Sequence, residues 1–492
     1  MTDVEPEDFG AQDDDRLRER LGQSLSALDT LLRRPGFGVG PQTLGAELEL
    51  FLVDDQGHAL ARNVEVRDAA DDPRLTLELD RFNVEANLTP VALAGTPFTA
   101  LREEMDELIA AVSRAGAPFG ARATAIGTLP TLDVDELGRA AMTDERRYRI
   151  LDHRLRTWRR QPYRIDIAGE DHLVAEADDV SLEGANTSFQ VHIRVDPDAF
   201  AHTYNAAQIA TAPALAVSGN SPFFLGHRLW EETRIALFTQ SVDHRDDLER
   251  RVEQPRVSFG RGWLEEGAIE LFADAVHDHA PMLSAVADED PRAAVHLGRI
   301  PSLEDLRLHI SSIWTWNRPV YDPGHGGHLR IELRTLPAGP TPVDMAANGA
   351  FLLGMTLAIA EEAPTWTALL AFEQARDNFE RAAESGLDAV LLSPFSRSGP
   401  HPRTAKDLAL ELLEPARAAL TRAGVEAGDV DGLFAIVQER ITSGRTGAQW
   451  QRRAVAAMEP RLGRQRAMAA MTRRYIDAMT SGEPVHTWPL PT

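Results

Sequence analysis

Glu47 and Glu49 in "GAELELFLVD" stand two residues apart, so both point the same way from an extended chain. Glu78 and Glu85 in "LELDRFNVEANLTP" are seven apart and would face opposite sides of one strand, but the turn-like "DRFN" between them lets both converge from adjacent strands. His192 in "SFQVHIRV" and Glu332 in "GGHLRIELRTLP" sit opposite apolar stripes on two further strand-like stretches. Five carboxylates and an imidazole packed together would repel one another unless cations joined them. Hard divalent ions bind carboxylate oxygens and keep positions open for phosphate oxygens, so such a cluster suits phosphoryl transfer. Arg194, Arg330 and Arg334, on the same faces, would stabilise the charge of a transferring phosphoryl group. Taken singly, each motif has a plainer reading. An E-x-E pair is commonly a solvated face, and R-x-E-x-R is commonly an exposed ion-pair ladder worth ~0.2–1 kcal/mol. The residues alone leave both readings open.

The elements that must position these groups can be read from periodicity. The opening residues, acidic and poor in apolar side chains, are expected to be disordered over 1–14, with a helix from about 15 to 32 and a Gly/Pro break after it. A strand follows, with Leu44, Ala46, Leu48 and Leu50 on one face and the turn "DDQG" closing it. Two short strands flank residues 80–82, and 97–116 has a helical period ending in a glycine cap. Phe189, Val191, Ile193 and Val195 mark another strand, and Leu329, Ile331 and Leu333 one more, while 203–218 and 227–242 read as helices. Residues 243–300 are charged and Pro-punctuated and give little. Beyond them 342–362, 364–384, 404–422 and 433–479 read as helices.

Composition narrows the classes. With 492 residues and 43% hydrophobic side chains the chain can bury a large core, and no apolar run reaches the ~18 residues of a membrane span. The acidic start has the wrong sign for a secretory leader, so a soluble cytoplasmic protein is expected. There is no cysteine, which removes thiolate chemistry and disulfides and leaves oxygen and imidazole as metal ligands. A formal net charge of -25 argues against nucleic acid or an anionic membrane as partner. Lys406, the single lysine, lacks the glycines of a Walker loop, so any nucleotide would be held by arginine and metal.

Three other stretches can be read in two ways. "GNSPFFLG", with Asn220, can line a pocket or simply connect two helices; Trp314 and Trp316 can flank a ligand or pack in the core. The basic "RRYRILDHRLRTWRRQPYRID" suits a salt-bridged helix better than a nucleic-acid surface in so acidic a chain.

In order along the chain, "GAELELFLVD", "LELDRFNVEANLTP", "SFQVHIRV", "GNSPFFLG" with Arg234 downstream, and "HLRIELRTLPAGPT" resemble the motifs of the glutamate-cysteine ligase superfamily, in particular its bacterial carboxylate-amine ligase branch. The resemblance covers about residues 40–365. It implies an α+β, glutamine-synthetase-like fold, a curved and largely antiparallel sheet with surrounding helices, and a catalytic domain over 15–365 with the helical region 366–492 packed on it. It further implies ATP as co-substrate, Mg²⁺ or Mn²⁺ as cofactor, and amide formation between the carboxylate of glutamate or a similar amino acid and an amine, through an acyl phosphate. By motif, Glu47, Glu49, Glu78, Glu85, His192 and Glu332 would be metal ligands. Arg334 and Arg330 would be catalytic, and Arg234, Asn220 and Arg194 would bind substrate. Partners would be small molecules, with a homo-oligomer allowed. Two rival readings stand beside the ligase: a small-molecule kinase on the same fold, and a nucleotide or amino-acid sensor without turnover.

Overall fold

Eight strands form one curled antiparallel sheet: β1 (Thr43–Val53), β2 (Leu75–Leu77), β3 (Asn83–Asn87), β4 (Val91–Ala92), β5 (Arg122–Thr124), β6 (Phe189–Val195), β7 (Asn317–Asp322) and β8 (His328–Leu333). These come from a computed structural model that describes residues 11–159, 161–246, 248–283, 289–396 and 399–491. The strand order is β7-β8-β6-β1-β3-β2, and the short β4 and β5 both pair with β1. The alternation in "TLGAELELFLV" works as expected, since Leu44, Leu48 and Leu50 are fully buried. Glu47 and Glu49 are only partly covered and mark where the opposite face opens.

Helices cover the apolar face. The helix Pro342–Ala360 is apolar nearly all round and therefore internal. At Gly349 an added Cβ would lie 3.4 Å from both Phe189 and Val191, so glycine lets this helix lie close on β6. By length and composition it could cross a membrane, which corrects the reading that no such run exists, but here it is buried against the helix Phe200–Ser218 and its neighbours. A buried ion pair, Arg440–Asp344 at 2.6 Å, joins it to the helix Ala427–Ser443. One continuous hydrophobic core runs from Leu21 to Trp488.

Several boundaries differ from the sequence reading. A helix already runs over Ala11–Leu32, so residues 11–14 are helical; residues 1–10 of the expected disordered start lie outside the described residues. The helix Pro97–Gly116 keeps the expected bounds, but the left-handed cap is Gly120 (φ 75°), after a short 3-10 turn. The helix expected from 227 begins at Thr233, because His227–Arg228 pairs with Phe223–Phe224 in a small hairpin. The long segment 433–479 is three helices, Ala427–Ser443, Gly447–Leu462 and Arg464–Thr480, broken where Gly444 and Gly463 take positive φ. Residues 364–384 likewise divide into Ala363–Leu369 and Phe372–Ser385. The middle region 243–300 contributes helices Ala268–Asp278 and Pro291–His296, which pack against the N-terminal helix. Arg20 reaches across to Asp305 at 2.7 Å, and Arg34 donates to the Val295 carbonyl.

Candidate active site

Strand pairing brings the expected acids together. Arg318, Glu332 and His192 are directly opposed across β7, β8 and β6; Gln190 faces Glu47 across β6 and β1; Glu49 faces Glu85 across β1 and β3. Directly opposed residues share a face, so one polar surface spans the sheet. It floors a cavity of about 220 Å³. Glu47, Glu49, Glu78 and Glu85 line it, together with Gln190, Arg318, Arg334 and Glu183. The helix Arg146–Arg159 forms a wall through Arg147, Tyr148 and Leu151, and the Tyr148 hydroxyl is tied to the Leu77 carbonyl at 2.9 Å. The first part of the basic stretch, Arg146–Arg159, thus folds as the salt-bridged helix expected, with pairs such as Arg154–Asp14 and Arg156–Asp152, while its end enters the strand Tyr163–Ala168.

Glu47, His192 and Glu332 each offer a ligand atom within 4.8 Å of the others. His192 Nε2 lies 3.2 Å from Glu47 Oε1, yet neither ring nitrogen makes a hydrogen bond among the described residues. Two carboxylates and a buried imidazole with an unused nitrogen fit a divalent cation. Glu332 is also gripped by arginine. Arg318 approaches with Nε 3.1 Å from Oε2 and Nη2 3.0 Å from Oε1, and Arg334 Nη1 donates to the same carboxylate. Burial would raise the Glu332 pKa, but Arg318, Arg334 and His192 outweigh it and hold the carboxyl well below the usual range.

The other half of the floor has the opposite balance. Glu49 accepts from the Ser188 amide at 2.7 Å and from Gln190 at 2.8 Å, yet burial still pushes it up. Burial and the neighbouring Glu85 and Glu49 push Glu78 well above the carboxylate range. Glu85 is pushed up to about 7 by burial, with Glu47 and Glu49 adding repulsion. Glu183 is pushed up to about 8 by burial, then Glu49. Carboxyls crowded in this way would be relieved by a bound cation.

The arginines divide. Arg334 lies in the cavity, bonded to Gln190 at 2.5 Å and kept charged against burial by Glu332 and Glu49. Arg234, on the helix Thr233–Ser241, is 2% exposed and lines a smaller pocket behind Glu49 and Arg334. Its Nε pairs with Glu232 at 3.0 Å, Nη2 donates to the Thr335 carbonyl, and the group stacks 5.7 Å over Trp316. Arg330 and Arg194 share the polar face, but they oppose each other beyond the cavity. Arg330 lies near Asp322 at 3.6 Å, and Arg194 donates to the Gly38 and Val39 carbonyls. We therefore expect Arg330→Gln to change kcat/KM by less than about threefold in a steady-state assay, whereas a fall of a hundredfold would put Arg330 in the chemistry.

Asn220 is also placed away from the cavity. It is fully buried, donates to the Ala338 carbonyl and the Tyr475 hydroxyl at 2.8 Å each, and accepts from Gln451. All of its side-chain hydrogen bonds are made with the protein, so it clamps the C-terminal helices to the "GNSPFFLG" loop. Trp314 and Trp316 are both buried against Phe238, as core packing requires, and Trp314 lines the cavity as well. Arg318, Glu183, Gln190 and Arg147 were not read as site residues. Gln190 does have a signal, its place two residues before His192 on the same strand face; Arg318 joins the site only through its register opposite Glu332, which the structure supplies. Glu183 lies in a turn with no periodicity to reveal it.

Residues 43–470 match the family model of glutamate-cysteine ligase family 2. The chain belongs to that family. As a member of glutamate-cysteine ligase family 2 it is a carboxylate-amine ligase, an enzyme that forms C–N bonds. No match is found among curated proteins. Among solved structures, the glutamate-cysteine ligase of Francisella tularensis, in complex with AMP, aligns over 92% of this chain and 91% of its own with a TM-score of 0.56 and 12% identity. A bifunctional glutathione synthetase from Pasteurella multocida aligns over 94% of this chain and 55% of its own, with a TM-score of 0.48 and 11% identity. The curled antiparallel sheet with its surrounding helices is thus a fold shared with the Francisella tularensis glutamate-cysteine ligase.

Proposed function

We propose that the enzyme uses ATP and Mg²⁺, or Mn²⁺, to join the side-chain carboxylate of glutamate or a similar amino acid to an amine as an amide. The convergence of five cavity carboxylates, the His192 imidazole and Arg334 on one concave face carries this reading. The AMP bound to the Francisella tularensis ligase supports a nucleotide in this fold.

The chemistry balances in two steps. A carboxylate oxygen attacks the γ-phosphorus of ATP and ADP leaves, giving an acyl phosphate; the amine nitrogen then attacks the acyl carbon, and inorganic phosphate leaves with loss of a proton from nitrogen. The phosphate is the better leaving group, which is the reason to make it. Glu47, His192 and Glu332 would hold one cation and Glu49, Glu78 and Glu85 would hold another. Bound metal would supply neutralisation of phosphate charge. By the family resemblance, Arg334 would contact the transferring phosphoryl group and Arg234 a substrate carboxylate. Tyr148, Leu151 and Trp314 give the cavity a partly apolar wall.

The test is ADP release with ATP, Mg²⁺, glutamate and a panel of amines, with product mass determined. An amide product that requires all four components is the expected result. A stable phosphoester or phosphoguanidine would make the enzyme a kinase instead, and nucleotide binding without turnover for any amine would make it a sensor.

A further inference from the structure

Arg147, Arg318 and Arg334 line the main cavity, and the last two are already engaged. Both bind Glu332, and Arg334 also donates to Gln190. Arg147 differs. It stands in the first turn of the helix Arg146–Arg159, on the wall rather than on the sheet, and it is exposed. Its Nη2 donates to the Leu77 carbonyl and to the Tyr148 hydroxyl, at 2.5 Å each, and the guanidinium lies 4.5 Å from the centre of the Tyr148 ring. These are its only hydrogen bonds among the described residues, and it forms no ion pair with them. Nε and Nη1 are therefore unspent.

A long, flexible cation in a cavity lined by Glu47, Glu49, Glu78, Glu85 and Glu183 would ordinarily fold onto the nearest carboxylate, because a charge-assisted pair is the stronger bond. The tether accounts for the difference. Leu77 ends β2 and Glu78 follows it, so the guanidinium is fixed to the backbone beside the floor acids and held off them. It still belongs to their neighbourhood. Burial and Glu49 raise the Glu183 carboxyl, and Arg334 and Arg147 both oppose them, so the two arginines act on one acid. Arg334 lies deep, its side chain 12% exposed, whereas Arg147 stands at the mouth.

We propose that Arg147 binds the phosphate next to the one transferred, and so holds the nucleoside diphosphate during and after transfer. The assignment rests on the ATP-dependent ligase reading above and adds to it a residue from outside the sheet. A phosphate chain that enters with its transferred end at Arg334 reaches outward to the mouth, where Arg147 waits with free donors. Each phosphate offers several charged acceptor oxygens, and a guanidinium that keeps its charge and its plane matches them. A tethered arginine is also preorganised, since the freedom it would lose on binding has already been lost to Leu77 and Tyr148.

ADP, which ends in the phosphate concerned, and AMP, which lacks it, are the two probes. Wild-type enzyme, Arg147→Met and Arg147→Lys are titrated with each in the presence of Mg²⁺ by calorimetry, and KM is measured for ATP and for glutamate. The Tyr148–Leu77 hydrogen bond remains in all three proteins to hold the wall, and urea unfolding checks that it does. Arg147→Met is expected to weaken ADP about tenfold or more and AMP by less than about twofold, the size of one lost charged contact. KM for ATP should rise with the loss of ADP affinity, while KM for glutamate stays within about twofold. Arg147→Lys should recover part of the ADP affinity. Equal losses for ADP and AMP, a rise in KM for glutamate as the main effect, or unchanged affinity for both nucleotides overturns the assignment. Wild-type enzyme that binds neither nucleotide removes the ATP reading itself, and this assignment with it.

Discussion

Replacing Glu332 by Gln is expected to lower turnover by about 10³-fold and stability by about 3 kcal/mol. The carboxylate is 1% exposed and meets two guanidiniums, Arg318 through both oxygens and Arg334 through one. An amide of the same shape keeps one acceptor but leaves two buried positive charges facing a neutral group, and breaking such a pair costs about 3–5 kcal/mol when one partner is lost entirely. The same change removes one of three converging groups, the other two being Glu47 and His192. Turnover at saturating Mg²⁺ and urea unfolding measured on one preparation separate the two losses. Adding Arg318→Met to Glu332→Gln should return part of the stability and none of the activity. Unchanged turnover in folded Glu332→Gln enzyme would remove Glu332 from the cation site.

The second large effect is a metal-linked dependence of stability on pH. Glu78 is held well above its ordinary range, Glu85 at about 7 and Glu183 at about 8 in the metal-free protein. Unfolded glutamates titrate near ~4.3, so from there to about 8 the native state binds more protons than the unfolded state. Stability of the metal-free protein should therefore fall as pH rises across that window and level off above it. Glu47 and Glu332 act oppositely: their folded pKa values are depressed, so their contribution is present at neutral pH and lost only in acid, below the window. A divalent cation replaces the protons. Saturating Mg²⁺ should raise Tm by about 5 °C near pH 8 and by clearly less near pH 5.5, read by calorimetry. An equal shift at the two pH values would mean the ion binds elsewhere.

Arg194 and Arg330 show the limit of a period-2 argument. The alternation placed them correctly on the polar face, but two residues along a strand is about 6.8 Å, enough to carry them beyond the cavity. Being on the same face is necessary for joining a site and not sufficient. Asn220 shows a different limit. Its Gly/Ser/Pro loop has the composition of a pocket lip, but the space beside it is filled by Gln451 and Tyr475, which arrive more than 200 residues later. Glu183 was invisible for a third reason: a turn has no repeating face, so nothing local says which way its side chain will point.

Much of the molecule was nonetheless determined by local chemistry. The apolar stripes of β1, β6 and β8 dictate which face of each strand is buried, and Glu47, Glu49, His192 and Glu332 must then lie opposite it. The absence of cysteine and of a Walker lysine dictates that any metal or nucleotide meets oxygen, imidazole and arginine. Tertiary structure alone decided the register that opposes Arg318 to Glu332 and Glu49 to Glu85, and the turn that brings Glu183 and Asn186 to the back of the cavity. Register is a long-range choice among strands separated by up to hundreds of residues, settled by which pairing buries every apolar stripe at once. The charge balance of the site follows from that choice, because burial and neighbouring charges set the pKa of each acid.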